Sequence, residues 1–251
     1  MDFTARTSSN GVLERDFTVG EVPGVLFSPE AGSERTPLVL ICHGGGQDKK
    51  APPVVGRARR LVTTCGFAVA AIDAPGHGDR PRTALDERET AAMRQATAAG
   101  EPVGPNVVRY NGQLADRAVP EWQATLDALQ TLPEIGLGGP VGYFGAYMGT
   151  AIGVPLTAAE PRITAAVFGQ FWPDNLLDLA KRITVPIEFV LQWDDEHIDR
   201  QAGLALFDAF ASKEKTLHAN VGRHMDLPRF EADSAVRFFA RHLGRPGPSP
   251  A

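Results

Sequence analysis

Residues 13–27 alternate loosely between apolar and polar positions and are broken by Gly20 and Gly24, the pattern of a leading antiparallel hairpin or edge pair. After a polar turn over 29–36 the pattern changes. Residues 37–42 are continuously apolar, as in a strand covered on both faces. Further buried runs follow at 67–72, 141–144, 163–168 and 185–192, with a brief strand at 215–218. Between them the period lengthens to that of a helix. One helix is expected over 54–64, stopped by Gly66. A long one over 106–132 turns Leu114, Trp122, Leu126 and Leu129 inward, with Pro120 expected to kink or split it. Shorter helices are expected at 175–180, 201–211 and 230–242.

Strands alternating with crossovers of a dozen residues or more predict an α/β fold, a mostly parallel central sheet with helices on both faces. Residues 1–243 read as one domain with an excursion at 81–105 that holds one helix, 88–99, and residues 244–251 read as a flexible tail.

Composition narrows the function. A chain of 251 residues, 43% hydrophobic and 22% charged, can bury one sizeable core. A net charge of -5 without a clustered Lys/Arg face argues against nucleic acid or an anionic membrane as partner. No apolar run approaches the ~20 residues that span a bilayer. Residues 1–10 are polar and lack the apolar core of a secretory signal. Cys42 and Cys65 are isolated in apolar contexts, as in a cytoplasmic protein with reduced thiols. The six histidines show no metal-ligand spacing, so neither metal nor cofactor is expected.

The candidate chemistry gathers where the strands end, after residues 42, 72, 144, 192 and 218. In parallel sheets ligands bind beyond the carboxyl ends of the strands. His43-Gly44-Gly45-Gly46 follows the first buried run and Gly76-His77-Gly78 the second, with Asp73 and Asp79 as turn formers and both histidines read as structural. Trp193-Asp194-Asp195-Glu196 follows the late strand, and Gly222-Arg223-His224 the last. Most telling is Gly145-Ala146-Tyr147-Met148-Gly149, a strand-to-helix turn with glycines where a Cβ would clash. Apart from Tyr147 it is the G-x-S-x-G nucleophile elbow.

With these segments in this order, the chain resembles the α/β-hydrolases over roughly residues 11–243, and among them the compact esterases and dienelactone-hydrolase-like proteins. The resemblance implies His224 as general base and Asp195 as the acid that orients it, Asp194 being second choice and Glu196 third. It implies an oxyanion hole from the N–H of Met148 and that of Gly44 or Gly45. Phe171, Trp172 and Trp193 are candidates for an apolar acyl pocket, and the excursion, with Arg82, Arg88 and Arg94, for a lid. A small ester or acyl substrate is then expected, handled by a monomer or homodimer.

Tyr147 departs from the pattern at the one residue that does covalent chemistry. A phenol has an ordinary pKa of about 10, and its oxygen stands several ångströms beyond where a serine oxygen would be. Serines occur at 8, 9, 28, 33, 212, 234 and 249, none at the elbow, and Cys42 belongs to its strand. Three readings follow: an ester or thioester hydrolase with its nucleophile substituted, a lyase, cyclase or isomerase using Tyr147 and His224 for proton transfer, or a silent binding module. The first is favoured, because acid and base are both kept.

Overall fold

The computed structural model describes residues 1–32 and 35–244. It builds one nine-stranded sheet from β1 (Asp2–Ser9), β2 (Val12–Val19), β3 (Val22–Pro29), β4 (Leu38–Cys42), β5 (Ala68–Ile72), β6 (Val141–Ala146), β7 (Ile163–Gly169), β8 (Ile187–Gln192) and β9 (Lys215–Asn220). The order is β1-β2-β3-β5-β4-β6-β7-β8-β9. The first three pairings along this order are antiparallel and the other five parallel. β4 and β5 are buried at every position and β6 at all but its last, which is what a continuous apolar run requires of a strand sandwiched between helices.

The helices cover both faces. α1 (Pro52–Cys65) and the closing helix Glu231–His242, α7, bury Val54, Leu61, Val236 and Phe239 on one side. α3 (Gly104–Gln130), α4 (Met148–Ala159), α5 (Leu177–Ala180) and α6 (Arg200–Ala209) cover the other. The fold expectation is met, with three corrections in detail.

β1 has no counterpart in the sequence reading. All eight of its residues are exposed, so it leaves no hydrophobic signature, and it is held by its ladder to β2 from Asp2↔Thr18 to Ser9↔Val12. α3 runs unbroken through Pro120. A helix-interior proline costs about 3 kcal/mol, but Leu114, Ala118, Trp122, Leu126 and Leu129 are all buried against the sheet. Each large apolar side chain there contributes about 1.5–3 kcal/mol, so burial outweighs the proline. In the excursion, α2 (Ala84–Ala99) begins four residues earlier than expected. Thr83 caps it, its side chain accepting the Asp86 N–H while Asp86 accepts the Thr83 N–H. The tail expected over 244–251 lies, apart from Gly244, outside the described residues.

Candidate active site

Backbone geometry at the end of β6 places Tyr147 at φ 58, ψ −126, between the strand and the first residue of α4. A side chain at positive φ is strained, and the surroundings hold it there. A Cβ on Gly145 would come within 2.3 Å of the Gly149 carbonyl oxygen, and one on Gly149 within 3.1 Å of the Cys42 carbonyl oxygen. Thr150 pins the turn to β7. Its Oγ1 lies 2.9 Å from Gly145 O and 2.6 Å from Gly169 O, and accepts the Gly169 N–H at 2.9 Å. The Met148 N–H opens α4 and has no helix carbonyl behind it, the condition for a free donor at a helix start.

His224, on the loop between β9 and α7, lies against this turn. Its Nδ1 is 2.7 Å from Asp195 Oδ2. The other Asp195 oxygen accepts the N–H groups of His197 at 2.8 Å and Ile198 at 2.9 Å. Burial pushes the Asp195 carboxyl up, but the His224 ring and those two N–H groups outweigh it and hold it below the ordinary value. Asp194 instead points to solvent, 3.8 Å from Arg200. Glu196 accepts the backbone N–H of His224 at 2.9 Å. Of the three consecutive acids, one meets the ring, one fixes its backbone and one is solvated.

The phenol goes past the imidazole. Tyr147 Oη donates to the His224 carbonyl oxygen at 3.2 Å, while the two rings meet edge-on with centroids 5.1 Å apart. Burial raises the Tyr147 hydroxyl above its ordinary pKa, more than Gln170 and Arg57 lower it, so it stays protonated near neutral pH. Cys42 offers no substitute nucleophile, since burial pushes its thiol up to about 12.

Two cavities meet at Tyr147. The first, about 370 Å³, runs from Tyr147, Met148 and His224 along Phe171 and Trp172 to Met93 and Val107. The excursion therefore walls it, through α2 and the start of α3. Arg82 reaches this cavity, whereas Arg88 points outward beside Glu89 at 3.5 Å, and Arg94 is exposed. Gly44 and Gly45 border it too, but the Gly44 N–H is taken by Gln47 Oε1 at 3.2 Å. Trp193 does not reach it. Trp193 is 39% exposed, and its ring lies under the Arg200 guanidinium at 3.9 Å. The second cavity, about 630 Å³, lies across Tyr147 towards Arg57, Phe144 and Arg229.

Four features escaped the sequence reading. Gln170, just past β7 and at φ 57, donates to the His224 carbonyl at 2.9 Å. The strand-end rule that picked out the other loops applies equally to this one. Asp73 is no simple turn former. It is fully buried and bonded to Lys49 Nζ at 2.8 Å, and Lys49 also reaches Asp79 at 2.6 Å, which ties the His43 loop to the turn after β5. His43 bonds within its loop, Nδ1 lying 2.9 Å from Gly44 O, and also across to the next, its Nε2 accepting the Ala74 N–H at 3.0 Å. His197 stands beside His224, ring centroids 5.2 Å apart. Arg57 lies over the Phe144 ring at 4.6 Å, with a buried Nε that has no partner.

The solved structure of a cold-adapted esterase from an Arctic intertidal metagenomic library is 32% identical to this chain, with a TM-score of 0.76 over 97% of this chain and 100% of that one. The chain belongs to the α/β-hydrolase family. No family model and no curated protein matches this chain. Two more distant structures share its fold. An acetyl xylan esterase from Paenibacillus is 14% identical with a TM-score of 0.66, covering 96% of this chain and 88% of its own. A dienelactone hydrolase from Anabaena variabilis is 21% identical with a TM-score of 0.64, covering 93% and 100%. The hydrolase scaffold is thus esterase-like. Among the described residues no helix is long and apolar enough to cross a membrane.

Proposed function

We propose that this is the site of a small-molecule ester hydrolase in which the acid, base and oxyanion elements are assembled and the nucleophile position is filled by Tyr147, leaving the chain nearly silent towards esters. One observation carries the reading: His224 is bonded to Asp195 at 2.7 Å beside an elbow at φ 58, while the Tyr147 hydroxyl bonds to the backbone of His224 instead of its ring. His224 is the general base and Asp195 holds its tautomer and stabilises its cation. Met148 and Gly45 supply the oxyanion N–H groups, the Gly44 N–H being engaged. A serine oxygen at 147 would stand close to the backbone, where these donors are aimed. The phenol oxygen overshoots them. Loss of such a nucleophile costs about 10⁶ in turnover.

The cavity lined by Phe171 and Trp172 takes the acyl group, and the cavity across Tyr147 takes the alcohol portion. The proton-transfer reading requires the phenol to reach the imidazole, and the 3.2 Å bond to the His224 carbonyl speaks against that. The test is a panel of short and medium p-nitrophenyl esters with the native chain, with Tyr147→Ser, and with His224→Ala added to it. Turnover confined to Tyr147→Ser and abolished by His224→Ala is the expected result. Equal turnover by the native chain contradicts it.

A further inference from the structure

On the α7 face of the sheet, away from the Tyr147 cavities, Glu188 interrupts the apolar run of β8. It is 3% exposed, and Glu231, the first residue of α7, is 5% exposed. Among the described residues, no lysine or arginine makes an ion pair with either. Their shared partner is one imidazole, with His218 Nδ1 at 2.8 Å from Glu231 and Nε2 at 3.8 Å from Glu188. His218 is thus the one cationic side chain in contact with either carboxylate among the described residues, Arg237 acting on Glu188 only from longer range, whereas buried charges are ordinarily matched closely or bound to a metal.

The way the carboxylates are held points the same way. Glu231 Oε1 accepts from Asn220 Nδ2 at 2.8 Å, leaving Oε2 to His218, while Glu188 Oε2, the oxygen that faces His218, accepts from Ser234 Oγ at 3.1 Å. Glu188 Oε1 is buried with no hydrogen-bond partner at all. One ligand atom from each of Glu188, His218 and Glu231 lies within 4.8 Å of the others. Zinc–nitrogen and zinc–carboxylate bonds are ~2.0–2.2 Å, so an ion held among these atoms requires their side chains to rotate towards it. Glu188 and His218 open onto a cavity of about 200 Å³, also lined by Glu214, Arg237 and Arg241, which gives room for water as a further ligand.

We infer that Glu188, His218 and Glu231 form a site for a divalent transition-metal cation, with one imidazole nitrogen and two carboxylate oxygens as ligands. Asn220 and Ser234 orient the carboxylates from outside, as partners behind metal ligands do. One imidazole with two carboxylates suits zinc or manganese better than calcium. His218 and Glu231 also bracket the loop that carries His224, so a bound ion closes the base of that loop.

The experiment titrates Zn²⁺ into chelator-treated native chain by calorimetry, beside Glu188→Gln, His218→Asn and His224→Ala. His224→Ala separates this site from adventitious binding at His224, His197 and Asp195. One site in the native chain, weakened about tenfold or more by Glu188→Gln and His218→Asn and kept in His224→Ala, is the expected result. No binding by the native chain overturns the inference. So does binding that His224→Ala removes and Glu188→Gln keeps. Glu188→Gln preserves side-chain volume and carries the test if His218→Asn does not fold.

Discussion

At the scale of single residues, the elbow is a set of close approaches that leave little choice of side chain. Gly145, Gly149 and Thr150 are each fixed by a neighbouring backbone atom, whereas the Tyr147 side chain is held by its hydroxyl's bond to the His224 carbonyl and its ring's contact with the imidazole. Thr150→Val keeps the shape but strands the Gly169 N–H and removes the one hydroxyl proton shared between the Gly145 and Gly169 carbonyls. A buried group so stranded costs about 1–3 kcal/mol, so the variant should melt several degrees lower and Thr150→Ser should not, as measured by calorimetry. The elbow and the order of acid and base were legible because glycine and charge leave marks in a sequence. Choosing Asp195 over Asp194 needed the resemblance as well as the strand end at Gln192, since it is the family's usual offset from that end that favours Asp195. The Gln170 and Glu196 bonds to His224 were not legible, since both are made to or from its backbone, which carries no residue code. The Glu188–His218–Glu231 cluster was hidden for another reason: its members come from β8, β9 and α7, and no local spacing joins them.

Between elements, the excursion is tied down by charge more than by apolar area. Asp86 in α2 is fully buried, 2.5 Å from Arg117 and 3.1 Å from the Tyr110 hydroxyl on α3. Burial pushes its carboxyl up, but Arg117, Thr83 and Tyr110 together hold it well below the ordinary carboxylate range. A carboxyl depressed in the folded state adds stability that is present above its unfolded value of about 3.9 and is lost as pH falls below that. Asp86→Asn should therefore destabilise the chain at pH 7 by about 2–3 kcal/mol, after discounting for the partly exposed Arg117. Its stability should also fall less steeply than the native chain's below pH ~4, as acid unfolding followed by circular dichroism will report. Sequence reading placed the helix here but not its purpose, because the partner of Asp86 lies 31 residues away. β1 was missed, and the split that Pro120 allowed in α3 does not occur. The strand has no buried face to betray it, and the helix has so much that a proline is absorbed.

For the whole molecule, the sheet fixes the ends of β4, β6, β8 and β9, and the excursion roofs the space above them. Val107 on α3 faces that space. In the Tyr147→Ser background, Val107→Trp should lower kcat/KM for hexanoate esters by tenfold or more, about 1.4 kcal/mol, and spare acetate esters. An equal loss for both would place the acyl group elsewhere. All this presumes a hydrolase site complete except for its nucleophile. The most direct test is intact-mass spectrometry after exposure to a fluorophosphonate, which labels an activated serine without requiring the right ester. The account predicts no adduct on the native chain, one adduct on Tyr147→Ser that maps to position 147, and none once His224→Ala is added. An adduct on the native chain, or a Tyr147→Ser variant that folds and stays unlabelled, would contradict it.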